Sequence, residues 1–142
     1  KFFLLKYDSL KDFTFMPEKS ISFEGDTGPY IQYTYARASS ILRKVRNFKP
    51  AFNFTEDIEH QLINHLSKFR EIVDEAAEKY KPHLIAHYSL NLAHLFNEFY
   101  HKYQVLTAEK TIKESRLTLV KATQKTLKSS LEILGIKPLE RM

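Results

Sequence analysis

Apolar residues recur at three- and four-residue intervals through most of this 142-residue chain, and its five prolines and three glycines fall between the runs. That period selects helices over strands. Ile58, Leu62, Leu66 and Phe69 share one helix face, with Thr55 placed to cap it and Glu56 and Asp57 in its first turn. A second helix is predicted from about Glu71 to Tyr80, burying Ile72, Val73 and Ala76. Pro82 ends it and opens the next, where Leu84, Tyr88, Leu92, Leu95 and Phe99 line up. The last long helix runs from about Lys110 to Leu134, with Leu119, Leu127, Leu131 and Leu134 inward. Gly135 serves as its left-handed cap, and Pro138 bars continuation. Upstream, Pro17 opens a short helix through about Phe23. Glu24-Gly25-Asp26-Thr27-Gly28 has the composition of a tight loop, and Pro29 fits the first turn of a helix running to about Arg46. Residues 1–16 read as irregular, with Phe13 and Phe15 alternating as in a short extended piece. The expected fold is all-α, a bundle of about five or six helices over residues 17–142, with residues 1–16 as a connecting segment.

Several function classes drop out on composition. The chain has no cysteine, so thiol nucleophiles, disulfides and cysteine-ligated metals are excluded. Only Gly25 and Gly28 lie close together, and no Lys-Ser or Lys-Thr follows, which disfavours a phosphate-cradling loop. No apolar run approaches the roughly 18 residues of a membrane span. Lys1 is followed by Phe2, Phe3, Leu4 and Leu5, an apolar run too short for a signal peptide. An apolar element at an uninitiated end points to a piece of a longer protein. The net charge of +5 is unevenly placed: residues 1–50 carry +4, residues 51–100 carry −4 and residues 101–142 carry +5. Basic ends around an acidic middle describe a two-sided molecule, one side suited to a polyanion; chance clustering on a solvated surface is the alternative.

The helix after Pro29 holds the main candidate site. At about 100° per residue, Tyr30, Tyr33 and Arg37 fall on one stripe, opposite Ile31, Ala38, Leu42 and Val45. Flat rings beside a guanidinium suit unpaired nucleobases. The reading that periodicity alone favours is that the tyrosines pack on a neighbouring helix, with Arg37 snorkelling or paired. His83 and His87 stand four apart, but no glutamate follows His83 as a metalloprotease pattern requires. His87, Asn91, His94, Glu98 and His101 form a polar stripe opposite the leucines, which reads as a solvated face. No catalytic constellation and no metal site emerges.

One stretch, Ser22-Phe23-Glu24-Gly25-Asp26-Thr27-Gly28-Pro29-Tyr30-Ile31-Gln32-Tyr33-Thr34-Tyr35-Ala36-Arg37, resembles the start of the C-terminal anticodon-binding domain of arginyl-tRNA synthetases. Tyr88 through Tyr100, Arg116-Leu117, and Leu131 through Met142 resemble later parts of the same domain in order and spacing. The resemblance implies an all-helical module of the DALR type. Such a module grips the anticodon stem-loop of arginine tRNA and reads chiefly its middle cytosine. It positions the tRNA for a separate catalytic domain, the rest of the parent chain, which would bind ATP, Mg and arginine. That domain's His-Ile-Gly-His and Lys-Met-Ser-Lys-Ser motifs are absent here. The expectation is therefore binding without catalysis, no cofactor in this piece, and a cytoplasmic setting.

By matching positions, the resemblance assigns anticodon contacts to Tyr30, Tyr33, Arg37, Tyr100 and Met142. It assigns the shaping of the anticodon loop to Ser22, Phe23, Glu24, Gly25, Asp26 and Thr27. Gln104 and Tyr35 depart from it, where members have tryptophan or histidine, and no role is carried to either. Arg43, Lys44, Arg46, Lys121, Lys125 and Lys128 are candidate phosphate contacts. The competing expectation is a helical protein-interaction module derived from such a domain, without RNA binding.

Overall fold

A computed structural model describes all residues except Leu10, Phe15, Ile21, Phe23, Glu24 and Arg46, and the side chains of Lys19 and Ser20. It is all-helical over the described residues. Two single turns, α1 (Phe2–Leu5) and α2 (Pro17–Ser20), precede five longer helices: α3 (Gly28–Arg43), α4 (Asp57–Ser67), α5 (Phe69–Glu78), α6 (His83–Lys102) and α7 (Lys110–Ile133). Among the described residues no helix is long and apolar enough to cross a membrane.

The bundle is organised around α6, which packs against α3, α4, α5 and α7 and also touches α1. Its sequence explains why. The stripe through Tyr88, Leu92 and Phe99 is buried as expected, but Ile85, Leu90, Ala93 and Phe96 are buried too, so more than one face is covered. A helix apolar over that much of its circumference belongs at the centre. Leu84 and Leu95 are only half-buried, at the rim of this core.

Helix ends follow local chemistry, with some shifts from the sequence reading. The α4 cap is Glu56, not Thr55. The Glu59 carboxylate reaches back to accept from the backbone N–H groups of both Thr55 and Glu56, at 3.0 and 3.1 Å. Glu59, three residues after the cap, thus closes a capping box on Glu56, one residue later than expected. Phe69 opens α5 rather than closing α4, because the chain merely bends at Lys68. Both α5 and α7 end in the same double-bonded cap. Lys81 N–H donates to Ala76 O at 2.9 Å, and Ile136 N–H donates to Leu131 O at 2.8 Å. Gly135 takes the left-handed position in α7 (φ 65°) as expected, whereas Tyr80 occupies it in α5 (φ 52°). Helix α3 stops at Arg43, three residues short of the expected end, where Lys44 and Val45 turn back onto Ile41 and Leu42 carbonyls. Arg46 lies outside the described residues.

Residues 1–16 are less irregular than expected. Phe2 and Phe3 of α1 are buried, and Phe2 seats directly on Gly28: a Cβ there would lie 2.8 Å from the Phe2 Cβ. Lys1 Nζ donates to Gly135 O at 2.8 Å. Phe13 takes no part in a strand; its ring stacks on Tyr7 at 4.7 Å. Its expected partner Phe15 lies outside the described residues, as does Phe23 at the expected end of α2.

Two polar pairs tie the bundle. Arg116 Nε donates to Glu59 Oε1 at 2.8 Å, with side-chain exposures of 8% and 1%. A second Arg116 nitrogen donates to Gln104 O at 2.8 Å, so one guanidinium joins α7, the start of α4 and the α6–α7 connection. Between α4 and α6, His65 Nε2–H donates to Tyr88 O and the Tyr88 hydroxyl donates to His65 O, each at 3.0 Å, with the rings stacked 4.3 Å apart. Burial is the main cause holding the His65 imidazole below its ordinary value of 6.5, with nearby Lys68 adding to it against the opposing Tyr88 hydrogen bond.

Glu59→Ala strands the Arg116 charge, and we expect a loss of about 3–5 kcal/mol in urea unfolding. Because His65 is held neutral in the fold, its contribution is complete above pH 6.5 and is lost as pH falls below that. His65→Gln therefore flattens the decline in stability between neutral and acidic pH, measured by thermal melts across that range.

Candidate functional site

Helix α3 is set by its cap. Thr27 Oγ1 accepts from Tyr30 N–H at 3.2 Å while its hydroxyl donates to Ser22 O, and Pro29 preorganises the first turn. Because α3 packs on both α6 and α7, it buries more than the single face the sequence suggested. Ile31 and Ala38 are sealed, joined by Thr34, Tyr35 and Ile41, while Leu42 and Val45 are only half-buried.

The remaining face of α3 lines a groove of about 520 Å³. Tyr33, Arg37, Arg43 and Lys44 come from α3 and its end, Tyr100 from α6, and Arg141 and Met142 from the C-terminal tail. The tail is held along α3 through its backbone: Gln32 Nε2 donates to Lys137 O and Arg43 Nη1 donates to Glu140 O, each at 2.9 Å. At about 100° per residue Gln32, Ala36, Ser40 and Arg43 share one stripe, and that stripe is the seam.

Arg37 sits at the centre. Its guanidinium carbon lies 4.8 Å from the Tyr33 ring and 5.0 Å from the Tyr100 ring. Nη1 donates to Asn97 Oδ1 at 2.6 Å, and Nη2 donates to the Tyr33 hydroxyl at 3.2 Å. Tyr33 and Tyr100 remain 40% and 37% exposed and Met142 is 52% exposed. The two sequence alternatives are thus both realised in part: Arg37 is paired and lies over both rings, yet the rings stay partly exposed to solvent. No Asp or Glu side chain among the described residues lines the groove, so its field is cationic. A planar, hydrogen-bonding ring carrying or flanked by negative charge matches this lining on shape and sign.

Of the sequence candidates, the groove therefore gathers Tyr33, Arg37, Tyr100, Met142, Arg43 and Lys44. Tyr30 stands beside it, half-buried, its hydroxyl bonded to Asn97 and His94. Ser22, Gly25, Asp26 and Thr27 border a separate hollow of about 450 Å³ with Phe3, Lys6 and Tyr7. Phe23 and Glu24 of that loop lie outside the described residues. Lys121, Lys125 and Lys128 are exposed on α7 and do not line the groove; Lys121 rests near the Phe48 ring and Lys128 lies 4.0 Å from Glu132.

Sequence reasoning missed two residues. Arg141 was passed over beside Met142, although its charge was there to read. Asn97 is 7% exposed between Phe96 and Phe99, and its carboxamide donates to Tyr30 and Thr34 while accepting from Arg37. An amide on the buried side of an apolar helix was the available signal. His87, Asn91, His94, Glu98 and His101 are all exposed, as a solvated stripe should be, but His94 also contacts Tyr30 and Asp26. Asn97→Ala takes one partner each from Arg37, Tyr30 and Thr34, and we expect about 1–3 kcal/mol of destabilisation in denaturant titration.

The family described as the DALR anticodon binding domain matches residues 31–142. An arginine–tRNA ligase of Pyrococcus abyssi is 48% identical over 98% of this chain and 23% of its own length. One from Streptococcus suis is 41% identical over all of this chain and 26% of its own. The solved Thermus thermophilus arginyl-tRNA synthetase superposes with a TM-score of 0.94 at 41% identity, over 99% of this chain and 25% of that one. The Plasmodium falciparum arginyl-tRNA synthetase gives 0.88 at 31% identity, over 99% and 26%. The chain thus spans about a quarter of the length of these relatives. With the helical order, the α3 groove and the family match in agreement, the chain belongs to the DALR anticodon-binding domain family.

Proposed function

We infer that this domain binds the anticodon stem-loop of arginine tRNA as the tRNA-gripping part of an arginine–tRNA ligase that works in the cytoplasm. It contributes no catalytic group. It holds the anticodon end so that the acceptor end reaches the catalytic domain of the parent chain, where ATP, Mg and arginine bind. The observation that carries this reading is the Arg37 guanidinium held over the partly exposed rings of Tyr33 and Tyr100, in a groove that no acidic side chain of the described residues lines.

Anticodon bases that leave their stack offer flat faces and polar edges, and single-stranded loops are where proteins read RNA sequence. Tyr33 and Tyr100 supply stacking surfaces, Met142 supplies an apolar contact, and Arg37 supplies directed N–H groups to a base edge or phosphate. The middle cytosine is the base this slot is assigned to read. Arg43, Lys44 and Arg141 at its rim suit the backbone phosphates on either side. Lys121, Lys125 and Lys128 on α7, together with Arg46, are assigned to the stem. The loop from Ser22 to Thr27 and Tyr30 flank the same end of α3 and are assigned to the anticodon loop.

Binding of an anticodon stem-loop RNA, followed by fluorescence anisotropy, tests the reading. Tyr33→Ala and Arg37→Ala each weaken binding by about 1–3 kcal/mol. Tyr33→Ala leaves the melting temperature nearly unchanged, because that ring is at the surface. Arg37→Ala also lowers it, because Asn97 loses its donor. Replacing the middle cytosine weakens binding to the wild-type domain and has less effect in the Tyr33 variant. Affinity falls steeply as salt is raised. Salt-independent binding to a protein partner, with no RNA affinity, would instead favour the interaction-module alternative.

A further inference from the structure

Asp26, His94, Tyr30, Asn97 and Arg37 form one continuous chain of hydrogen bonds. Asp26 Oδ1 lies 3.2 Å from His94 Nε2, and His94 Nδ1 lies 3.2 Å from the Tyr30 hydroxyl. Tyr30 accepts from Asn97 Nδ2 at 2.9 Å, and Asn97 Oδ1 accepts from Arg37 at 2.6 Å. The chemistry of the ends assigns the hydrogens. A carboxylate only accepts, so His94 Nε2 carries the hydrogen facing it. In the neutral ring Nδ1 then accepts, and the Tyr30 hydroxyl is its donor. Every link therefore runs donor to acceptor in one sense, from the guanidinium to the carboxylate. Bonds aligned this way polarise one another, so weakening one weakens its neighbours.

We propose that His94 is a positioning residue that couples the seating of the Asp26 loop to the placement of Arg37 in the groove. Its role rests on the reading above, in which the groove takes an unpaired base. His94 and Asn97 stand three apart on α6 and so share a face. The His94 ring also lies 4.9 Å from the Tyr30 ring, holding the first tyrosine of α3 from the side. The loop has a second tie, Lys6 Nζ donating to Asp26 O at 3.1 Å, so the loop stays attached when the His94 link is cut. What changes is the far end: the His94 ring loses its anchor or is removed, the Tyr30 hydroxyl loses a fixed acceptor, Asn97 its fixed partner, and Arg37 its set position between Tyr33 and Tyr100. A neighbouring RNA strand that pulled Asp26 from His94 would reach Arg37 by the same path.

Both end groups of the His94–Asp26 link are solvent-exposed, at 47% and 61% of the side chain, so variants there fold. The test compares His94→Ala, Asp26→Ala, the double variant and His94→Gln. It uses two readouts: affinity for an anticodon stem-loop RNA, and the NMR signal of the Arg37 side-chain N–H. Each single alanine variant is expected to weaken RNA binding about three- to tenfold, on the scale of one net hydrogen bond. Each shifts the Arg37 signal and leaves the melting temperature unchanged. The double variant is no worse than either single. His94→Gln restores both readouts, since the amide offers one donor and one acceptor. Tighter binding by Asp26→Ala, as mere removal of a negative charge from an RNA-facing loop would give, overturns the proposal. So do additive losses in the double variant, or an Arg37 signal that stays put. If the wild-type domain fails to bind the stem-loop, the functional reading falls, while the Arg37 signal in the same variants still decides whether the coupling exists.

Discussion

The side-chain amide of Asn97 sets the relation between α3 and α6. Two helices that meet through apolar contacts alone can slide and rotate at little cost, because dispersion has no direction. A buried carboxamide has one carbonyl and two N–H groups at fixed angles, and burial penalises each one left unpaired. Here all three are taken up by α3: Arg37 gives to the oxygen, and Tyr30 and Thr34 receive from the nitrogen. Those three residues span two turns of α3, so the amide sets its height and its rotation against α6 together. The groove inherits its geometry from that lock, since Tyr33 and Arg37 come from one helix and Tyr100 from the other.

A second buried polar group does similar work between α7 and α4. Arg116 holds Glu59, which in turn holds the N–H groups at the start of α4. The two locks lie at different contacts of the bundle, one between α3 and α6 and one between α7 and the start of α4. The acidic middle of the sequence, residues 51–100, includes α4 and α5, neither of which lines the groove. The negative charge of the middle segment thus falls largely on α4 and α5, away from the groove, while the positive charge is shared between α3 and α7.

Much of the fold was legible because helix periodicity and helix ends are local properties. Pro29, Pro82 and Gly135 act within a turn of where they stand, and the elements they bound appear nearly where expected. The misses came from contacts distant in sequence. Phe2 is buried because Gly28 leaves room for it, a pairing no local window contains. Glu56 rather than Thr55 is the cap, its N–H held by one oxygen of Glu59 while the other oxygen of that carboxylate meets Arg116 from α7. At the site, spacing put Tyr30, Tyr33 and Arg37 on one stripe but could not divide them. Tyr30 turns toward Asn97 while Tyr33 faces the groove. That division depends on which residue of α6 stands opposite, which spacing along α3 does not contain.

Among the described residues, the α3 side chains that bond the tail, Gln32 and Arg43, take its carbonyls. Every residue type brings the same carbonyl. The side chains at positions 137 and 140 can therefore change without loosening the seam, and those at 141 and 142 project into the groove as interchangeable furniture on a fixed frame. A fold built this way can retune what its cleft accepts by altering a few terminal letters, leaving the helices that carry them untouched.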